Sequence, residues 1–220
     1  MLNEYAKPSR GRREDIYAAL KHGILTGALP PGHQLRLRDI AAEHGASMMP
    51  VREAIVALET VGLVTQIPYR GAFVSRLTLE KLRDFYNARL VVEPGALEIG
   101  TPVLNDEHFE SLHGLLGEID TKASKDNWHL VIDLDERFLM TIYQAAGSAA
   151  LTEMIQTLWN RVTPYKYHLI EIEPSAAYKI VEHNKELVSL LEKRDVLAAK
   201  ALLQASLRQA MTKLCEALPV

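Results

Sequence analysis

The chain has a single cysteine, Cys215, which excludes an intrachain disulfide and a cysteine-based zinc cluster. No uncharged apolar run approaches the roughly 18 residues that a bilayer span needs. The stretch from Met1 to Arg13 is polar and basic and lacks the apolar core of a secretory signal. A reducing, cytoplasmic setting without a membrane partner is therefore expected. There is no Gly-x-Ser-x-Gly elbow, no phosphate-binding glycine loop and no HExxH pair, and the eight histidines are scattered. Glu182 and His183 are adjacent, and neighbours on a helix do not face one another. No catalytic residue is expected. Fixed-period repeats and low-complexity stretches are also missing. What is present is ordinary for globular protein: 220 residues, 48% hydrophobic and 24% charged.

Charge is unevenly placed. Residues 1–76 carry ten Lys/Arg against seven Asp/Glu, net +3, and residues 77–220 carry fifteen against twenty-one, net −6. A small basic piece joined to a larger acidic one suggests that one part meets a polyanion and the other does not.

The hydrophobic pattern divides at the same place. Ile16, Ala19, Leu20 and Ile24 recur at helical spacing, and the run GALPPG at 27–32 ends that helix. A short helix over 36–44 follows, with Leu37, Ile40 and Ala41 on one face, and Gly45 breaks it. Ser47 can cap a third helix, Pro50 fits only its first turn, and Val51, Ile55 and Leu58 form its apolar stripe. Leu63–Ile67 and Ala72–Ser75 read as strands joined by a turn at 68–71. After Leu77 the text is helical only: 79–99, 105–122, 127–146, 149–171, 175–193 and 195–217. Lys125–Asp126 marks one of the breaks, and Pro94 and Pro164 fall inside otherwise helical text, where each should kink its helix. The expected fold is mainly α: a three-helix-plus-hairpin domain at 9–76 and an all-α six-helix antiparallel bundle at 78–218.

A short helix, a tight turn and a second helix form the helix-turn-helix layout. Its second helix would present Met48, Met49 and Arg52 away from the apolar stripe and toward a major groove. Arg38 and Ser47 lie beside it, and Arg70 with Gly71 at the hairpin tip suits an adjacent minor groove or backbone. Solvated arginines on a helical subdomain would give the same pattern.

The run PPGHQLRLRDIAAEHGASMMPVREAIVALETVGLVTQIPYRGAFV decides between them. With ILTGALPPG, PVREAI, LETVGLV and RGAFV in order, residues 12–76 resemble the winged helix-turn-helix of the GntR family of bacterial transcription regulators. Arg38 and Arg52 match DNA-contacting arginines of that family. Leu37 stands where the family usually has Glu, and Met48–Met49 replace its Arg-Thr, so the resemblance implies an operator unlike the commonest one.

YNARLVVEP at 86–94, DLDERFLMTIYQAAGSAAL at 133–151 and HNKELVSLLEKRDVLAAKALL at 183–203 are similar to the FCD-type effector domain of the FadR branch. Many such domains hold a divalent metal through one Asp and three His, and the metal helps to hold a small carboxylate. Carried over by position, the Asp is Asp135, and the histidine positions read Leu139, Asn184 and Ser206, with His183 one place from the second. Zinc and its relatives want imidazole or several carboxylates, so no tightly bound metal or other cofactor is expected. Asp135 shares a stripe with Val131, Leu139 and Ile142 and needs a partner there. Arg89, Arg161, Asn184 and Ser206 are the candidate companions. Either Asp135 and Arg89 form an internal ion pair and nothing binds, or the five residues line a cavity in which an arginine grips an anion.

The resemblance implies a homodimeric repressor of double-stranded operator DNA, released by a small anionic metabolite of the carboxylate class. Three alternatives stay open: a metal-free regulator responsive to a fatty acid or acyl-coenzyme A, an orphan regulator without effector, and a helical enzyme with an accessory winged domain.

Overall fold

The computed structural model describes residues 9–76, 78–123 and 127–217. The first eight residues, the break expected at Lys125–Asp126 and the expected domain end at 218 lie outside them. The chain divides into two compact units between residues 77 and 78.

In the first unit, α1 (Ser9–Leu25), α2 (Leu37–Glu43) and α3 (Met48–Thr60) surround one core. Ile16, Leu20 and Ile24 of α1 pack with Val51, Ala54, Ile55 and Leu58 of α3, all at most 5% exposed. Gly45, at φ +55°, closes α2, and its carbonyl accepts a hydrogen bond from Arg12 Nη1 at 3.0 Å. A three-stranded antiparallel sheet completes the unit, with β1 (Gln34–Leu35), β3 (Gly71–Val74) and β2 (Val64–Ile67) in that spatial order. Gln34 pairs with Phe73, and Val64 with Val74. The hairpin matches the sequence expectation; β1 does not appear in it. Two residues are too few for a period-2 signal, and only pairing across to β3 makes them a strand.

The second unit contains α4 (Leu79–Gly100), α5 (Asp106–Ala123), α6 (Trp128–Gln144), α7 (Ala149–Ile172), α8 (Ser175–Glu192) and α9 (Val196–Ala217), with a 3-10 turn at Thr101–Val103. Thr78 and Ser148 cap α4 and α7, accepting from the backbone of Lys81 and Leu151. Both helices continue through their prolines, Pro94 and Pro164. The broadest packing is of α5 on α6 and of α4 on α9. Gly100 lets the end of α4 touch the backbone of α6: a Cβ there would collide with the carbonyl oxygen of Ile142. Among the described residues, no helix is long and apolar enough to cross a membrane.

Candidate nucleic-acid interface and effector cavity

The outer face of α3 follows from its inner one. Pro50, Val51, Ala54, Ile55 and Leu58 are buried, so a helix of 3.6 residues per turn must present Met49, Arg52, Glu53 and Val56 to solvent. Met48 is 45% exposed, Met49 63% and Val56 48%, which is unusual for three apolar side chains of one short helix. Ser47 occupies the N-cap with extended backbone, but its hydroxyl makes no capping bond, so the helix N-terminus is open to an anion. Arg38 on α2 and Arg52 on α3 are both exposed.

The hairpin tip is built for projection. Tyr69 has φ 60°, costly for a non-glycine residue, and is completely exposed; Gly71 follows at φ +96°. Arg70 is exposed beside it, with its carbonyl accepting from Gln34 Nε2 at 3.1 Å. Glu59 ties α3 to the hairpin, accepting from the amide and the side chain of Gln66 at 2.9 and 2.6 Å. Arg38, Ser47, Met48, Met49, Arg52, Arg70 and Gly71 are thus all surface residues of one small unit.

The second unit holds a half-open cavity of about 880 Å³. Arg89, Asp135 and Ser206 reach its wall, with Leu139 and His183. Asn184 does not: it is completely buried behind Asp135 and donates from Nδ2 to Asp135 Oδ1 at 3.0 Å. Arg161 is also absent from the wall, and its guanidinium lies 5.9 Å from the Phe85 ring centre, where partial burial lowers its pKa. The five expected cavity residues are therefore three wall residues, one supporting residue and one residue elsewhere.

The expected pairing of Asp135 with Arg89 is not what forms. Arg89 Nε donates to Glu93 Oε1 at 2.5 Å, one helical turn along α4. Glu93 is fully buried and also accepts from Tyr143 Oη on α6 at 2.9 Å and from Trp159 Nε1 on α7 at 3.0 Å. Burial alone would lower the Arg89 pKa, but the charge and hydrogen bond of Glu93 together with Tyr86 and Tyr143 outweigh it, and the net shift is upward. Burial, reinforced by Glu93, holds the Tyr143 phenol well above its usual range. Asp135 pairs instead with Lys166 of α7, its Oδ2 accepting from Nζ at 3.2 Å. Burial lowers the pKa of His183, an effect opposed by Asp135 and Glu186. Among the described residues, two buried side-chain polar atoms have no partner: the hydroxyl of Tyr86, a residue of the cavity lining, and Asn184 Oδ1.

Glu93 and Lys166 are the residues that the sequence reading missed, and both carried a signal. Arg89 and Glu93 stand at i, i+4, the spacing of a helical ion pair. Lys166 lies on the stripe Trp159, Val162, Thr163, Lys166, Ile170, whose other members are all buried. A lysine on an inward stripe needs a carboxylate, and Asp135 is the carboxylate in the same position on α6.

For a metal, the donors are poorly disposed. Each oxygen of Asp135 already accepts from a nitrogen, Leu139 offers hydrocarbon, and Asn184 points its amide hydrogens at Asp135. Among the described residues no group of three or more His, Cys, Asp and Glu could hold an ion.

Comparison with known proteins covers both units. Residues 12–74 match the family model for bacterial regulatory proteins of the gntR family, and residues 84–209 match the FCD domain. The HTH-type transcriptional regulator McbR of Escherichia coli K12 is 28% identical over 177 residues, 80% of this chain and 80% of the relative. The HTH-type transcriptional repressor RspR of the same strain is 22% identical over 188 residues, 86% and 82% of the two chains. The solved structure of E. coli McbR/YncC superposes with a TM-score of 0.82 at 26% identity, covering 92% of this chain and 96% of that one. A GntR regulator from Rhodococcus sp. RHA1, at 24% identity, shares the fold with a TM-score of 0.82 over 95% of this chain and all of its own.

Proposed function

The chain belongs to the GntR family of bacterial transcription regulators and carries an FCD effector domain, and from that premise we propose that it is a homodimeric repressor released from its operator by a small carboxylate. The observation that carries the effector half is the cavity beside Asp135 and Arg89. An orphan regulator has no use for a space of about 880 Å³ lined by paired charges inside its helical unit. The exposed end of α3 supports the DNA half.

In this reading, α3 enters the major groove. Arg52 makes a bidentate contact to guanine, while the exposed Met48 and Met49 lie against thymine methyl groups. Arg38, Ser47 and Arg70 take phosphates, which position the protein without reading sequence, and Gly71 lets the hairpin tip come close to the DNA backbone. A ligand in the helical unit releases DNA only if it binds the released arrangement of the dimer more tightly than the bound one.

The test begins with selection of an operator from random duplexes, followed by anisotropy titration. The wild-type protein should be dimeric by light scattering, should bind a two-fold symmetric site, and should lose affinity steeply with salt. Arg52→Ala should weaken binding to the selected site by about 1–3 kcal/mol, yet leave binding to unrelated duplex nearly unchanged. Equal losses on both duplexes would remove Arg52 from base recognition. Carboxylates that fail to alter operator affinity at any concentration would sink the effector half.

A further inference from the structure

Lys166 is a cation inside a cavity that already contains its counter-charge. Its side chain is 15% exposed, and its ammonium lies 3.2 Å from Asp135 Oδ2 and 4.7 Å from the Trp159 ring centre. Asp135 takes one of its three hydrogens, and the Trp159 ring face supports the charge without consuming a hydrogen bond. The other cations of the wall are differently placed. Arg89 is committed to the buried Glu93. Lys179 and Lys213 share Glu173, and at 54% and 39% exposed their charge is largely screened by water.

Much of the rest of the wall is hydrocarbon, with Leu139, Ile170, Leu203, Leu207 and Leu214, and the polar Ser206 and His183 line it too. Tyr86 lines it as well, and its hydroxyl is a buried donor without a partner. One largely buried ammonium, neutral donors and a mainly aliphatic surround fit a single carboxylate on an apolar body. They do not fit a compact polyanion, which would bury further negative charge without partners.

We propose that Lys166 does in this cavity what a divalent ion would otherwise do: it receives the ligand carboxylate, and Asp135 is the resident anion that holds the ammonium in place until the ligand arrives. The ligand class is an aliphatic monocarboxylate. The inference rests on reading the helical unit as an effector domain, and it reverses the role of Asp135. As a metal ligand, Asp135 would be required for binding. As a like charge sharing one ammonium with the ligand, it opposes binding.

The experiment is calorimetric titration of the full-length protein, dialysed against EDTA, with octanoate. Binding should be unaffected by EDTA or by added zinc. Asp135→Asn, which keeps the shape of the side chain, should tighten binding several-fold. Lys166→Met should weaken it by about tenfold or more, and Lys166→Arg should retain most of it. Melting curves check that each variant folds. Should Lys166→Met melt early because Asp135 is left without its cation, Lys166→Met combined with Asp135→Asn carries the same comparison with no charge stranded. The proposal is overturned if octanoate binds only with zinc present, if Asp135→Asn abolishes binding, if Lys166→Met leaves it unchanged, or if octanoate does not bind. The wider reading fails on a different result. Zinc-dependent binding that still releases operator leaves a ligand-responsive regulator and removes only the lysine's role.

Discussion

Arg89→Ala should destabilise the helical unit by about 3–5 kcal/mol, the cost of stranding a buried carboxylate. Glu93 has no access to water, and Arg89 is the one cation among its three hydrogen-bond donors, beside Tyr143 and Trp159. Removing the guanidinium leaves a charge that two neutral donors cannot balance. Urea denaturation followed by circular dichroism should show the transition of the helical unit moving while that of the winged unit stays. Glu93→Gln in the same background should restore much of the loss, because a buried amide needs hydrogen bonds but no counter-charge. An unshifted transition in Arg89→Ala would mean that the Glu93 network carries no stability. The expected rescue also changes how Arg89 is to be used as a probe: a lost ligand response in Arg89→Ala reports a damaged bundle, so the effector question belongs to Lys166.

Gly100→Ala should cost about 3 kcal/mol, near the upper end for overpacking, because the new methyl meets backbone rather than a side chain that can turn aside. The obstacle is the Ile142 carbonyl, and the amide nitrogen of Ala146 lies 3.2 Å from the same position. Relief requires α4 and α6 to separate, and the Glu93 network joins those same helices through Tyr143. Gly114→Ala in α5 is the control. A Cβ there meets nothing within 4 Å, so the substitution should be neutral or stabilise by up to about 1 kcal/mol through helix propensity. If both alanines shift the melting curve equally, close approach of α4 and α6 is not what Gly100 provides.

The helices were legible because their signals are local. Apolar spacing placed the six helices of the second unit within a few residues of their ends, and Gly45 marked a break and Pro50 a first helical turn by backbone chemistry alone. The exposed residues of α3 could be read in the same way, since a buried stripe of Val51, Ile55 and Leu58 fixes what lies opposite. Choice of partner inside the bundle was not legible. Asp135 and Arg89 both sit on inward stripes, so pairing them was reasonable, but each had a better match: Glu93 one turn away from Arg89, and Lys166 across from Asp135. Arg161, expected beside Asp135, lies over the Phe85 ring instead. Periodicity tells which side of a helix is covered, whereas the neighbour that covers it depends on how the helices are rotated against one another.

Trp159 stands where the two ionic systems of the bundle approach each other. Its indole donates to Glu93, its ring centre is 5.3 Å from the Arg89 guanidinium, and it lies beneath the Lys166 ammonium. Indole emission responds to the electric field across the ring, so the protein contains an optical gauge of the charge in its own cavity. With Trp128→Phe removing the other indole, an anion arriving at Lys166 would register as a colour shift in unlabelled protein, read in the same cuvette in which operator release is followed.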